Sequence, residues 1–380
     1  TVYRMGLGHR YGRRMQTISG IHYNWSLPGL TSADYFSLIR NFRRHGFLLL
    51  FLFGASPALC QTFVAGRDHP LDRLGEHTLY LPHATSLRMG KLGYQSDAQS
   101  TLAVSYNSLD SYAASLHDAM TRPYPAYEAL GLRGPGGDYH QLATSLLQLE
   151  NEFYGTIRPK RVIHQGERPL HALRERGVEY VEVRCMDLDP FLSLGIDAPT
   201  MRFIDVFLLY CLLADSPADT PAEIAELAHN QDRVAMRGRE PGLRLERGGR
   251  EVTLVEWADE ILAACAPLAA AVDKAQGGTA YVEALRIATE RLAAPASLPS
   301  ARVIDDIVGQ FDCSYTRFVR DRAAHTRDEL LALPYPPELH ARMVDLVQTS
   351  IAQQAQIEAG DTMPFEIYRQ EYLSTRRLGV

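Results

Sequence analysis

A chain of 380 residues that is 46% hydrophobic can bury a large core, in one big domain or two, and a net charge of −6 with pI near 6.1 argues against a nucleic-acid partner, which requires a net basic face. The longest apolar run, Phe47 to Phe53, falls well short of the ~20 residues a bilayer span needs, so no membrane segment is expected. Only Lys91, Lys160 and Lys274 among the 39 basic residues are lysines, and five scattered cysteines (Cys60, Cys185, Cys211, Cys265, Cys313) without CxxC spacing read as reduced thiols of a cytoplasmic protein.

The first 28 residues place glycines among Arg4, Arg10, Arg13 and Arg14, yet Gly6-Leu7-Gly8 matches neither a phosphate-binding loop nor a dinucleotide fingerprint. The chain opens on Thr rather than Met, so an upstream part is expected to be missing from this sequence. Residues 20–26 alternate as a strand, with Ile21, Tyr23 and Trp25 on one face and Gly20, His22, Asn24 and Ser26 on the other. His22 reads either as a satisfied sheet histidine or as a metal ligand working with a carboxylate from a neighbouring strand.

A helix is expected over 32–44, capped by Ser32 or Asp34, followed by a buried helix Phe47–Phe53 that ends at Gly54-Ala55-Ser56-Pro57. Residues 78–93 read as a loop that carries Arg88 and, just after it, Tyr94. Residues 109–120 form an amphipathic helix and 131–137 a glycine-rich surface loop. In 146–161 the alternation of Gln148, Glu150 and Glu152 with Leu147, Leu149 and Asn151 predicts another strand with a carboxylate row, with Arg158, Lys160 and Arg161 directly after it.

Residues 177–185 make the clearest strand. Val181, Val183 and Cys185 share its core face; Tyr180, Glu182 and Arg184 share the other. A carboxylate and a guanidinium side by side there are either a structural ion pair or a site in which Glu182 holds a metal and Arg184 a phosphate. Beyond Pro190 the pattern turns helical, over 201–215, 221–238, 251–272 and 279–293, with a turn at 238–243. From Ser300 on it stays helical, broken at 334–337, with a polar last helix over 350–374 interrupted near Pro364. The expected class is α+β: a curved antiparallel sheet with a polar concave side in residues 1–195, and helical support from 196–380 within the same domain.

Four motifs stand in order along the chain: QTISGIHYNWSLP (16–28), LFGASPALC (52–60), ENEFYGTIRPKR (150–161) and EYVEVRCMDLDPF (179–191). Together they resemble the proteobacterial type of glutamate–cysteine ligase. The resemblance continues in YLPHATSLRMGKLGY (80–94) and REPGLRL (239–245) and covers essentially the whole chain, more weakly beyond Val252. It implies a glutamine-synthetase-like sheet forming a funnel, with ATP and Mg2+ (Mn2+ as an alternative) at one end and the amino acids at the other. It also implies a reaction in which ATP phosphorylates the γ-carboxylate of L-glutamate and the amine of L-cysteine attacks the acyl phosphate, giving γ-glutamylcysteine, the first step of glutathione biosynthesis.

By matching motif, Glu182 and His22 resemble the family's magnesium ligands and Arg184 the arginine on the transferred phosphoryl group, with Arg4 as a further phosphate contact. Tyr3, Leu7, Gln16, Tyr94 and Tyr154 resemble its cysteine pocket and Arg88 a clamp on a substrate carboxylate; Glu150 and Glu152 receive no role. A monomer working on small molecules, without nucleic-acid or membrane partners, is expected, and the resemblance further implies inhibition by glutathione. Family members carry an N-terminal segment with further acidic ligands and strands that this sequence does not contain. The competing readings are another carboxylate–amine ligase on the same scaffold and a non-catalytic scaffold that has lost its metal site.

Overall fold

The computed structural model describes residues 1–93, 97–99 and 102–378. Among them, eight short strands are embedded in a mostly helical chain: β1 (Ile21–Trp25), β2 (Ala58–Cys60), β3 (Asp72–Arg73), β4 (Thr78–Tyr80), β5 (Ile157–Lys160), β6 (Tyr180–Met186), β7 (Arg244–Arg247) and β8 (Arg250–Thr253). They pair as three separate antiparallel sheets, ordered β1-β6-β5, β2-β4-β3 and β7-β8.

β6 is the central strand of the first sheet because its alternation serves two layers. Val181, Val183 and Cys185 enter the main hydrophobic core, which also draws Phe36 and Phe42, Phe203 and Phe207, Trp257 and Leu292 from helices in both halves of the chain. Ile21, Tyr23 and Trp25 of β1 pack against that core, leaving His22 and Asn24 on the opposite face as the alternation predicts. The other face of β6 is less open than expected, since Glu182 and Arg184 are each only 9% exposed.

The helices follow their periodicity closely: Ser32–His45, Phe47–Phe53, Leu109–Thr121, Ala198–Leu213, Pro221–Arg237 and Ala280–Ala293, with the last ones, Pro337–Gly360 and Phe365–Leu373, separated at Pro364. The cap of Ser32–His45 is Thr31 rather than Ser32 or Asp34. Thr31 Oγ1 accepts from the Asp34 N–H and Asp34 Oδ2 accepts from the Thr31 N–H at 2.8 Å, a reciprocal box that satisfies two otherwise orphaned donors.

Four segments differ from expectation. Residues 146–152 are not a strand; Glu150–Glu152 is a single 3-10 turn, because partners on different elements capture the two carboxylates, and the sheet strand comes later as β5. Residues 2–11 form a helix despite two glycines, and Gly6 is required there, since a Cβ would overlap the Gln148 amide. The expected loop 78–93 begins as β4 and contains the 3-10 turn Leu87–Met89. The helix expected from 251 starts at Leu254, after a β7–β8 hairpin whose Gly248 and Gly249 take φ of 60° and 75°, the left-handed conformation that such two-residue turns need. All five cysteines are free, and among the described residues no helix is long and apolar enough to cross a membrane.

Candidate active site

The polar face of β6 gathers charge around one carboxylate. Glu182 Oε2 lies 2.9 Å from Arg184 Nη1 and 3.4 Å from Lys160 Nζ, and Glu182 Oε1 lies 3.3 Å from His22 Nδ1. Sheet register accounts for these neighbours. Arg158 of β5 and Asn24 of β1 stand opposite Glu182 on its two sides, and Lys160 follows Arg158 by two residues on the same face. Between Ile21 and Tyr23 the β1–β6 register shifts, a bulge at which His22 faces the Arg184–Cys185 pair.

Among the described residues, Arg158, Lys160 and Arg184 therefore share a sheet face with a single carboxylate. Burial would raise the Glu182 pKa, but Lys160, Arg184 and His22 outweigh it and hold the carboxyl below its ordinary value. Burial, with Arg184 next to it, pushes the His22 imidazole down, so it is neutral at neutral pH, the form that ligates metals. Burial also lowers Lys160 and Arg158, the latter further through Arg184. Arg158 is 5% exposed, donates from Nη2 to the carbonyls of Asn151 and Phe153, and leaves its Nε without a partner.

A second set of residues is carried by the helix Val2–Tyr11 and what anchors it. Arg10 Nη1 and Glu152 Oε1 meet at 3.0 Å with neither side chain reaching solvent. Arg10 also donates to Gln141 Oε1 and to the Ala143 and Leu146 carbonyls, and its guanidinium stacks 4.0 Å over the Tyr127 ring. Tyr11 donates to Glu152 Oε1 at 2.6 Å; burial, then the carboxylate, push its phenol up, so it stays a donor. On this helix sit Tyr3, Arg4 and Leu7. Gln16 donates to the Arg4 carbonyl at 3.1 Å, and both residues line a surface hollow with Met5, Gly8, His9 and Arg13. Tyr154 stands edge-on to Tyr11 with centroids 6.0 Å apart, and its N–H donates to Gln99 Oε1, while Gln99 Nε2 donates to the Tyr11 hydroxyl and the Glu152 carbonyl.

Arg88 lies at the C-terminal end of β6. Its Nε meets Asp187 Oδ1 at 2.6 Å, its Nη2 donates to the Met186 and Arg184 carbonyls, and a Cβ at Gly20 would come within 2.6 Å of its Cζ. Tyr94 lies outside the described residues. The structure thus joins His22, Glu182 and Arg184 directly, puts Arg4 beside Gln16, and reaches Tyr154 from the Tyr3–Leu7 helix through Tyr11. Lys160 and Arg158 join the β6 cluster without a motif that assigns them to it, although their i, i+2 spacing around Pro159 marks one face of an edge strand. Glu150 has a structural partner in Arg168, whose Nη2 lies 2.7 Å from its Oε2.

Glu182 and His22 offer one carboxylate oxygen and one neutral imidazole. That suits a magnesium-type site of the common sort, in which the protein supplies one or two ligands and substrate phosphates and water complete the shell. The group of three His and Glu side chains able to converge on a cation among the described residues, Glu167, His171 and Glu175, lies at the helix Pro169–Arg176 instead, and Arg176 already binds its Glu167 at 2.7 Å.

A sequence model of the family described as glutamate-cysteine ligase matches residues 1–31 and 29–234. The chain is 43% identical to a glutamate–cysteine ligase of Alcanivorax borkumensis, over 98% of this chain and 75% of the relative, and 45% identical to that of Pseudomonas paraeruginosa, over 98% and 73%. In three dimensions it matches the crystal structure of a glutamate–cysteine ligase from Francisella tularensis in complex with AMP, with a TM-score of 0.92 and 33% identity over 99% of this chain and 76% of that one. A bifunctional glutathione synthetase from Pasteurella multocida, at a TM-score of 0.60 and 21% identity over 84% of this chain and 38% of that one, shares the fold.

Proposed function

This chain belongs to the glutamate–cysteine ligase family, and from that premise we propose how its sheet carries the family's reaction, the ATP-dependent formation of γ-glutamylcysteine from L-glutamate and L-cysteine that begins glutathione biosynthesis. A carboxylate is a poor electrophile, and converting the γ-carboxylate of glutamate to an acyl phosphate supplies a leaving group for attack by the cysteine amine. The protein's task is to hold polyphosphate and carboxylate together and to offset their negative charge.

The observation that carries this reading is the contact of His22, Glu182 and Arg184 on one sheet face. Arg184 presents a planar fork suited to the oxygens of the transferred phosphoryl group, and Arg4 adds a second guanidinium from the N-terminal helix. Glu182 and neutral His22 would hold a divalent cation, which when bound offsets phosphate charge. Arg88, aligned by Asp187 and the strand carbonyls, turns a cationic edge to a substrate carboxylate beneath Gly20. Tyr3, Leu7, Gln16 and Tyr154 form the acceptor pocket for cysteine, mixing apolar surface for the thiol with polar groups for the amine and carboxylate. The sheet is the floor of the funnel in which these groups converge.

The test is phosphate release from ATP and Mg2+ with L-glutamate, with and without L-cysteine, alongside mass detection of γ-glutamylcysteine. Release that depends on both amino acids and yields the dipeptide is expected. No release together with no Mg2+-dependent ATP binding would favour a non-catalytic scaffold, and release with another amine in place of cysteine a different ligase.

A further inference from the structure

We propose that Lys160 binds the phosphate end of the nucleotide, exchanging its long contact with Glu182 for a phosphate oxygen; the proposal rests on the reading of this sheet as a phosphoryl-transfer site. Among the described residues Arg158, Lys160 and Arg184 face one carboxylate, and His22 supplies no negative charge, so the described groups leave positive charge in surplus on a face where Arg158 and Arg184 are 5% and 9% exposed. Like charges gathered away from water repel unless an anion compensates them. The face therefore has room in its charge balance for a polyanion.

The three cations differ in what they can do for it. Arg158 is fixed from below by the carbonyls of Asn151 and Phe153, and Arg184 is held to Glu182 at 2.9 Å. Lys160 makes the longest contact of the group, 3.4 Å to Glu182 Oε2, beyond the roughly 2.7–2.9 Å of a strong charge-assisted hydrogen bond. Its side chain is 26% exposed on a flexible four-carbon stem, so its ammonium can leave Glu182 for a ligand oxygen without disturbing the sheet. The residue type points the same way. All but three of the 39 basic residues are arginine, and a lysine at this half-buried position supplies a movable point charge where a guanidinium would have locked onto the carboxylate.

The experiment is calorimetric titration of the full chain with inorganic tripolyphosphate and, separately, with AMP, which lacks the β- and γ-phosphates. It compares wild type, Lys160→Met, Lys160→Arg and the helical surface control Lys274→Met, after a melting curve of each. Tripolyphosphate affinity should fall about ten- to a hundredfold in Lys160→Met, the loss of one hydrogen bond to a charged group, and recover in part in Lys160→Arg. AMP binding and the Lys274→Met control should be unchanged. If Lys160→Met does not fold, Lys160→Gln, which keeps a hydrogen bond toward Glu182, takes its place. Undiminished tripolyphosphate affinity in a folded variant, an equal fall for AMP, or no tripolyphosphate binding by wild type would each overturn the proposal. Phosphate release by wild type with both amino acids is read independently, so loss of the Lys160 proposal and loss of the ligase reading give different results.

Discussion

Arg10 and Glu152 form an ion pair from which water is wholly excluded, and the pair ties the helix bearing Tyr3, Arg4 and Leu7 to the turn just before Tyr154. Glu152 is saturated: Oε1 accepts from Arg10 and Tyr11, and Oε2 from the backbone and side-chain amides of Gln148. Replacing it by Gln keeps the size but strands the Arg10 cation inside the protein. The expected cost is about 3–5 kcal/mol, since breaking one half of a buried pair leaves an uncompensated charge. In the protein that remains folded, the KM for cysteine should rise more than that for ATP, because the helix and Tyr154 lose their common anchor. Denaturant melts and substrate-resolved kinetics check both parts, and equal changes in the two KM values would count against the positioning role.

Glu182 offers a charge test. In Glu182→Gln the polar face keeps its shape while Lys160 and Arg184 lose their carboxylate, so Mg2+-dependent phosphate release should vanish in a protein that still folds. Normal turnover would remove Glu182 from the ligand set. The pH dependence has a defined sign. Because the native carboxyl is held below its ordinary value, the unfolded chain takes up the proton first, so the Glu182 contribution is fully present above the ordinary carboxylate pKa and disappears as pH falls through the lower native one. The melting-temperature gap between wild type and Glu182→Gln should therefore be constant above the ordinary carboxylate range and close only as pH falls below it.

Gly20 is required by what lies against it. Its backbone leaves space for the Arg88 guanidinium, and a methyl group there would sit 2.6 Å from Cζ. Arg88 cannot swing aside without breaking its contacts with Asp187 and the Met186 carbonyl. Gly20→Ala should cost about 1–3 kcal/mol by overpacking and raise the KM for glutamate, with that for ATP little altered. Arg88→Lys should relieve the clash yet still raise the KM for glutamate, because an ammonium cannot span Asp187 and the strand carbonyls together. An unchanged glutamate KM in both variants would make Arg88 a purely structural clamp on β6.

How far the site could be read from the sequence follows from how local each contact is. Glu182 and Arg184 stand two apart on a strand written in alternating valines, so their shared face was legible. The approach of His22 was suggested by motif but depends on a register shift against β6, which leaves no mark in residues 20–26. The polar–apolar alternation of 147–152 imitates a strand, whereas Glu150 answers to Arg168, 18 residues away, and Glu152 to Arg10, 142 residues away. Two glycines concealed the N-terminal helix, since Gly6 is placed to admit Gln148 rather than to break the helix. The β7–β8 hairpin did carry its signal in Gly248-Gly249, and the helix-forming residues that follow masked it.

Arg168 tests how the C-terminal helix is held. Only 2% exposed, it meets both oxygens of Glu150 through Nε and Nη2, and its Nη1 donates to the Tyr372 carbonyl at 2.7 Å, with its guanidinium 4.9 Å from the Tyr372 ring. It thereby joins the Glu150 turn to the helix Phe365–Leu373. Arg168→Ala would leave Glu150 as a buried charge held only by the Leu170 N–H, at a cost of about 3–5 kcal/mol. The helix would keep its other attachments, Tyr139 to Glu366 and Arg369 to the Leu142 carbonyl, so it should loosen at its C-terminal end first. Hydrogen exchange should accordingly quicken from Tyr372 onward before it does near Phe365, and Arg168→Lys, which retains the charge beside Glu150, should show a smaller effect on stability with a similar loosening. Exchange that stays unchanged beyond Tyr372 in Arg168→Ala would show that the Tyr139 and Arg369 contacts alone hold the helix.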